Sequence, residues 1–179
     1  MKEYPDCFPS NFETDILPSG AKEDTKNVYR IMKTGKIEKD NFLSTYEEIL
    51  KGSRPKPRNG INYNDPGIYS TSCFQEYDDA EYILNIIMRH NPPACIVLGS
   101  TEKNCGPSQL SSDRLSDKNS QHMKQATSHV DWWIYKNATP EYYFEEINDT
   151  IDTTNVATTN VATTNVADTN NNINTPNIK

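Results

Sequence analysis

Apolar positions along residues 26–148 fall into short runs of strand or helix period, separated by loops rich in Pro, Gly and polar residues. Residues 27–32 alternate: Val28, Arg30 and Met32 share one face, and Tyr29 and Ile31 the other, which predicts a first strand. Residues 39–50 predict a helix, with Asp40 as cap, an apolar stripe of Phe42, Tyr46, Ile49 and Leu50, and Gly52 as the stop. β-Branched and aromatic residues over 68–74 predict a second strand. A second helix follows, capped by Asp78 or Asp79, with Ala80, Ile83, Leu84, Ile87 and Met88 on one face, and Pro92 and Pro93 end it. The unbroken apolar run 94–98 predicts a central, buried strand. Residues 128–135 predict another strand, and Thr139-Pro140 opens a short helix over 141–147.

Between these elements lie a basic loop, 53–67, and a long polar stretch, 99–128, of the length expected of a functional lid or a disordered segment. Residues 1–25 carry Pro5, Pro9 and Pro18 with little periodicity and predict an extended arm over the surface. The expected organisation is this arm, one globular α+β domain over 26–148, and a tail over 149–179. The domain should hold a small mixed or antiparallel sheet with two or three helices. A parallel α/β sheet is disfavoured, since no crossover helix separates the last two strands.

Composition sharpens the tail. From Thr153 the chain repeats TTNVA three times and ends in an Asn-rich stretch, and these 27 residues hold eight Thr, eight Asn and no aromatic. Such a segment cannot bury enough apolar surface to offset an ordering cost of about 1–2 kcal/mol per residue, so disorder is expected. All the aromatics, two Trp, ten Tyr and five Phe, lie before it, enough for one modest core.

The net charge of −7 argues against a general nucleic-acid binder, although the segment 51–58, KGSRPKPR, is locally basic. No run of roughly 18 apolar residues offers a membrane span, and the opening residues lack the apolar stretch of a secretory signal, so a cytoplasmic protein is expected. Cys7, Cys73, Cys95 and Cys105 show no ligand-like spacing, and His90, His122 and His129 are scattered, so free thiols and no metal are expected.

No phosphate-binding loop, nucleophile elbow, zinc-protease or dinucleotide-binding motif occurs. Candidate chemistry therefore rests on polar groups set within strands. Arg30 lies on an otherwise apolar face: it either pairs with a glutamate or serves as an anion-binding group in a cleft. Tyr69-Ser70-Thr71-Ser72-Cys73 sends Ser70 and Ser72 to one face and Thr71 to the other, which suits either a polar ligand wall or an ordinary edge strand. His129, Asp131 and Trp133 share a face and together could hold a ring by stacking and hydrogen bonds, or the tryptophans could be core. Late carboxylates Glu141, Glu145 and Glu146 fall on the last predicted helix.

A Val-Tyr-Arg strand, then Tyr-Ser-Thr-Ser, then a downstream glutamate resembles the layout of arginine-type mono-ADP-ribosyltransferases. The segment 67–84, GIYSTSCFQEYDDAEYIL, also looks like the corresponding region of RES-type NAD-degrading toxins. The resemblance implies NAD as the small-molecule nucleotide bound, with Arg30 on its phosphates, Ser70 at the nicotinamide pocket and Glu145 stabilising the oxocarbenium-like ribose. On the toxin comparison Glu81 takes the acidic role. Tyr29, Tyr69, Thr71, Ser72, His129, Asp131 and Trp133 would then line the ligand site. The alternative is a non-enzymatic accessory or inhibitor protein of a phage or mobile element, acting on a protein target.

Overall fold

The computed structural model describes residues 2–115 and 127–147. The predicted tail and part of the predicted lid lie outside these. The fold is α+β, as expected. Its centre is one six-stranded, wholly antiparallel sheet in the order β4-β5-β2-β1-β3-β6. The strands are β1 (Lys26–Met32), β2 (Thr71–Phe74), β3 (Cys95–Thr101), β4 (Ser108–Leu110), β5 (His129–Trp132) and β6 (Phe144–Glu146). The α-helices are α1 (Thr45–Leu50), α2 (Tyr77–Ile87) and the single turn α3 (Ser111–Arg114).

Strands β1 and β3 form the backbone of the sheet through seven registered pairs, from Lys26↔Thr101 to Met32↔Cys95. The alternation read from the sequence of β1 holds. Val28 and Met32 join Cys73, Val97, Val130 and Trp132 in a core on one face. Ile31 joins Phe74 and Ile96 on the other, beneath Ala80 of α2. Ile83, Leu84 and Ile87 pack there as predicted, whereas Met88 ends the helix exposed.

Several elements depart from expectation, each for a local physical reason. The predicted helix 39–50 breaks at Leu43 into a 3-10 turn, Lys39–Phe42, and α1. Ser44, not Asp40, caps α1: its hydroxyl accepts from Glu47 N while the Glu47 side chain accepts from Ser44 N, a reciprocal capping box. The predicted strand 68–74 starts late, because Asp65 and Pro66 open a 3-10 turn, Pro66–Tyr69, whose Gly67 N–H is capped by Asp65 Oδ1 at 2.9 Å. Cap residues Asp78 and Asp79 are likewise displaced: α2 begins after Glu76, and Asp79 instead accepts from Ser128 N and Oγ.

The predicted last helix is a 3-10 turn, Pro140–Tyr143, followed by strand β6 on the edge of β3. Gly99 of β3 explains the docking. A side chain there would lie 2.4 Å from the Phe144 ring and the Tyr143 carbonyl, so its absence makes the seat for β6. Burial of Phe144 and pairing with an open sheet edge override helix propensity. The predicted lid is also structured in part: 99–101 complete β3, and β4 and α3 follow. Residues 116–126 of it lie outside the described residues.

The N-terminal arm is a wall of the core rather than a surface strap. Phe8, Phe12 and Ile16 are buried with Tyr69 and Trp133, and Phe12 stacks edge-on against Tyr4 and Tyr69 at 4.7 and 5.3 Å between ring centres. The prolines do not extend it: the chain turns through residues 12–16 in a wide helical turn that places these rings inward. Among the described residues no helix is long and apolar enough to cross a membrane.

Candidate functional site

Strands β1 and β2 share one registered pair, Tyr29↔Phe74, and then part. The guanidinium of Arg30 fills the opening. It donates from Nη1 to the Ser72 carbonyl, and from Nε and Nη2 to the Asn41 carbonyl at 3.2 and 2.6 Å. Asn41 is itself buried and held by Lys33 N, the Thr34 hydroxyl and the Lys36 carbonyl, so the acceptor is rigid. The expected ion pair with a glutamate is not formed. Arg30 has backbone carbonyls for partners, and burial pulls its pKa below the usual value.

A cavity of about 790 Å³ opens beside it. Its polar wall carries Arg30, Lys33 and Arg54, with Glu48 as the lining carboxylate. Glu48 is buried on α1 and pairs with Lys33 and, at 3.5 Å, with Arg54. Burial lowers the Lys33 pKa, against the pull of Glu48. Three cations against one carboxylate leave this wall positive. Ser70, Ser72 and His129 line it further, and Ile83, Ile87 and Phe74 supply an apolar side.

Behind the cavity wall lies a buried polar network centred on Asp131 of β5. The carboxylate accepts from Ser70 Oγ at 2.7 Å, Ser111 Oγ at 2.8 Å and Arg114 Nε at 3.0 Å. Arg114 Nη1 also reaches Asp65 Oδ1 at 2.9 Å, which ties the loop before β2 to α3. Asp131 thus satisfies the rule that a buried charge is paired and hydrogen-bonded. Burial, opposed by Asp131, keeps the His129 pKa below its ordinary value.

The structure therefore brings Arg30, Ser70, Ser72 and His129 to one cavity, with Asp131 holding Ser70 directly and His129 through Ser111. It does not bring the other predicted residues there. Thr71 faces away and donates to the Phe42 carbonyl at 2.7 Å. Tyr69 is fully buried in the arm cluster, its hydroxyl on the Tyr63 carbonyl at 3.1 Å, and Trp133 is buried beside it with Nε1 on the Pro66 carbonyl at 2.9 Å. Trp133 leaves the face of His129 and Asp131 because β5 ends at Trp132. Tyr29 packs against Tyr77 on the α2 side. Glu145 is exposed on edge strand β6, paired to Leu98, two strand spacings or about 10 Å from β1. Glu81 is exposed on α2.

Lys33, Glu48, Arg54, Ser111 and Arg114 belong to the site and were not singled out from sequence. Arg54 lies in the basic loop, and Ser44-x-x-Glu47 marks the helix that carries Glu48. Ser111 and Arg114 sit in a polar stretch with no periodic signal. The four cysteines are unpaired, and among the described residues no cluster of His, Cys, Asp or Glu is arranged to hold a metal. Comparisons with protein-family models, characterised proteins and solved structures found no match.

Proposed function

We propose that the cavity between β1, α1 and α2 binds an anionic small molecule of the nucleotide class, and that the substrate is NAD, as the ADP-ribosyltransferase resemblance implies. The observation that carries the reading is Arg30: a buried guanidinium on the cavity wall whose contacts are neutral carbonyls. Burying a charge without a contacting counter-ion costs several kcal/mol, and a ligand phosphate offsets that cost. Arg30 keeps two unused N–H donors, and Lys33 and Arg54 flank it, a set suited to a diphosphate. The volume lies in the range of small-molecule sites, about 300–1,000 Å³.

In this reading Ser70 and Ser72 border the nicotinamide side. Glu48, the lining carboxylate, takes the place expected of Glu145 and faces the positive charge that develops on the ribose. The bond from ribose C1′ to the nicotinamide nitrogen breaks, nicotinamide leaves neutral, and water or a protein nucleophile adds at C1′ and releases a proton. The test is incubation of the purified full chain with NAD, with calorimetric binding and nicotinamide release as readouts. Arg30→Ala and Arg54→Ala should each weaken binding at least tenfold. Arg54 is half exposed, so its variant keeps the test valid if Arg30→Ala fails to fold. Absence of binding for NAD, ADP-ribose and pyrophosphate alike overturns the reading.

A protein target is the second reading, favoured by Ile86 and Met88, both more than 40% exposed at the outer end of α2. A stoichiometric protein partner lost on Ile86→Asp, with no NAD binding, would support it in place of the first.

A further inference from the structure

The cavity holds a second feature that the anion-binding wall does not use. His129 lines it from β5, edge-on to Phe74 with ring centres 5.3 Å apart. Its Nδ1 lies 2.5 Å from Ser111 Oγ, and that same oxygen lies 2.8 Å from Asp131 Oδ2. Ser111 is fully buried and has one hydrogen to donate. A hydrogen bond to a carboxylate is about twice as strong as one between neutral groups, so the Ser111 hydrogen goes to Asp131. Ser111 Oγ must then accept, and Nδ1 of His129 carries the ring hydrogen. Nε2 then keeps its lone pair on a ring that lines the cavity.

The ring is held from two directions. Arg114 donates to the same Asp131 oxygen, Oδ2, and is itself anchored to Asp65, while Ser70 holds Oδ1. Ser128, the preceding residue, is clamped to Asp79 of α2 through its N at 2.9 Å and its Oγ at 2.7 Å. Burial, with Arg30 and Arg114, disfavours the imidazolium, while Asp131 and Asp79 favour it; the first group prevails, so the lone pair persists at neutral pH.

We infer that His129 Nε2 is a specificity-determining hydrogen-bond acceptor, oriented through Ser111 by Asp131, which selects ligands carrying an O–H or N–H donor beside their anionic group. Ser111 and Asp131 are positioning residues. The inference rests on the anion-binding reading above and narrows its ligand class: a sugar diphosphate such as ADP-ribose is selected over pyrophosphate, which offers a more highly charged diphosphate without the sugar hydroxyls.

Two measurements on the full chain test it. Long-range ¹H–¹⁵N spectra of ¹⁵N-histidine-labelled protein read the tautomer with no ligand present, and calorimetry compares ADP-ribose with pyrophosphate. The expected results are an Nδ1–H tautomer for His129 and an Nε2 resonance that moves on adding ADP-ribose. His129→Ala should lose about tenfold of ADP-ribose affinity, the size of one hydrogen bond, while its pyrophosphate affinity stays within about twofold. His129→Gln, which retains an acceptor, should recover part of the loss. Ser111→Ala should redistribute the tautomer and weaken ADP-ribose severalfold with His129 intact. An Nε2–H tautomer in the wild type overturns the inference, as does a His129→Ala effect that is equal for both probes or absent. In those cases intact pyrophosphate binding leaves the anion-binding reading standing. Wild-type protein that binds neither probe overturns both.

Discussion

Truncating Phe12 to alanine measures whether the N-terminal segment is core or covering. The ring is 2% exposed and sits between Tyr4, Phe8 and Tyr69, with ring centres 4.7, 5.0 and 5.3 Å away. Removing a buried phenylalanine costs about 3–5 kcal/mol in lost transfer energy and residual cavity. Edge-to-face partners add roughly 0.5–1.5 kcal/mol per pair, which pushes upward, while partial collapse of the neighbouring rings into the space offsets it. A value near 3–4 kcal/mol follows. With a urea dependence of about 2 kcal/mol per molar, the unfolding midpoint should fall by roughly 1.5–2 M. Phe12→Leu, which refills most of the space, should cost about 1–2 kcal/mol. Equilibrium urea unfolding followed by tryptophan fluorescence reads both, since Trp133 lies in the same cluster. A surface strap would change stability by no more than about 0.5 kcal/mol, so a midpoint shift under about 0.3 M for Phe12→Ala would refute the argument.

Further outcomes are open to measurement. Gly106 has φ +137°, and an added Cβ would lie 2.0 Å from the Trp133 carbonyl oxygen, so Gly106→Ala should lose about 2–4 kcal/mol, or roughly 5–15 °C of melting temperature; an unchanged melting curve would contradict the packing. The folded-state pKa of His129 lies below its ordinary 6.5, so as pH falls the unfolded chain takes up this proton first. Stability should therefore be complete above pH 6.5 and decline below it, by at most about 1.4 kcal/mol per pH unit, until the folded imidazole is protonated; His129→Gln should flatten that limb, and parallel curves would count against it. Cys73 and Cys105 are buried with thiol pKa values pushed up to about 11, mainly by burial, whereas Cys7 and Cys95 are half-buried. A thiol reagent should modify Cys7 and Cys95 in the native protein and the other pair only as fast as the chain unfolds; rapid native labelling of Cys73 would show that its strand opens.

Local chemistry made much of the scaffold legible. The alternation of β1, the apolar run of β3 and the apolar stripe of α2 each carry their own burial pattern, because a two- or 3.6-residue period is a property of the backbone alone. The sequence also determined that Arg30, Ser70, Ser72 and His129 are polar groups in or directly beside strands of the sheet. What it could not contain were outcomes that depend on a second chain segment. Whether 144–146 is helix or strand turns on Gly99, some 45 positions earlier, leaving room for Phe144. Whether the N-terminal arm is covering or core turns on the Tyr69 and Trp133 rings that meet it. Glu48 rather than Glu145 faces the cavity because α1 packs at the opening between β1 and β2, while β6 joins the far side of β3. Ser111 and Arg114 became part of the site only through Asp131, a contact across 17 to 20 residues that no period encodes. Periodicity reports which side of an element is buried; tertiary packing decides which buried polar groups meet, because that depends on where strands part and on what fills the gap.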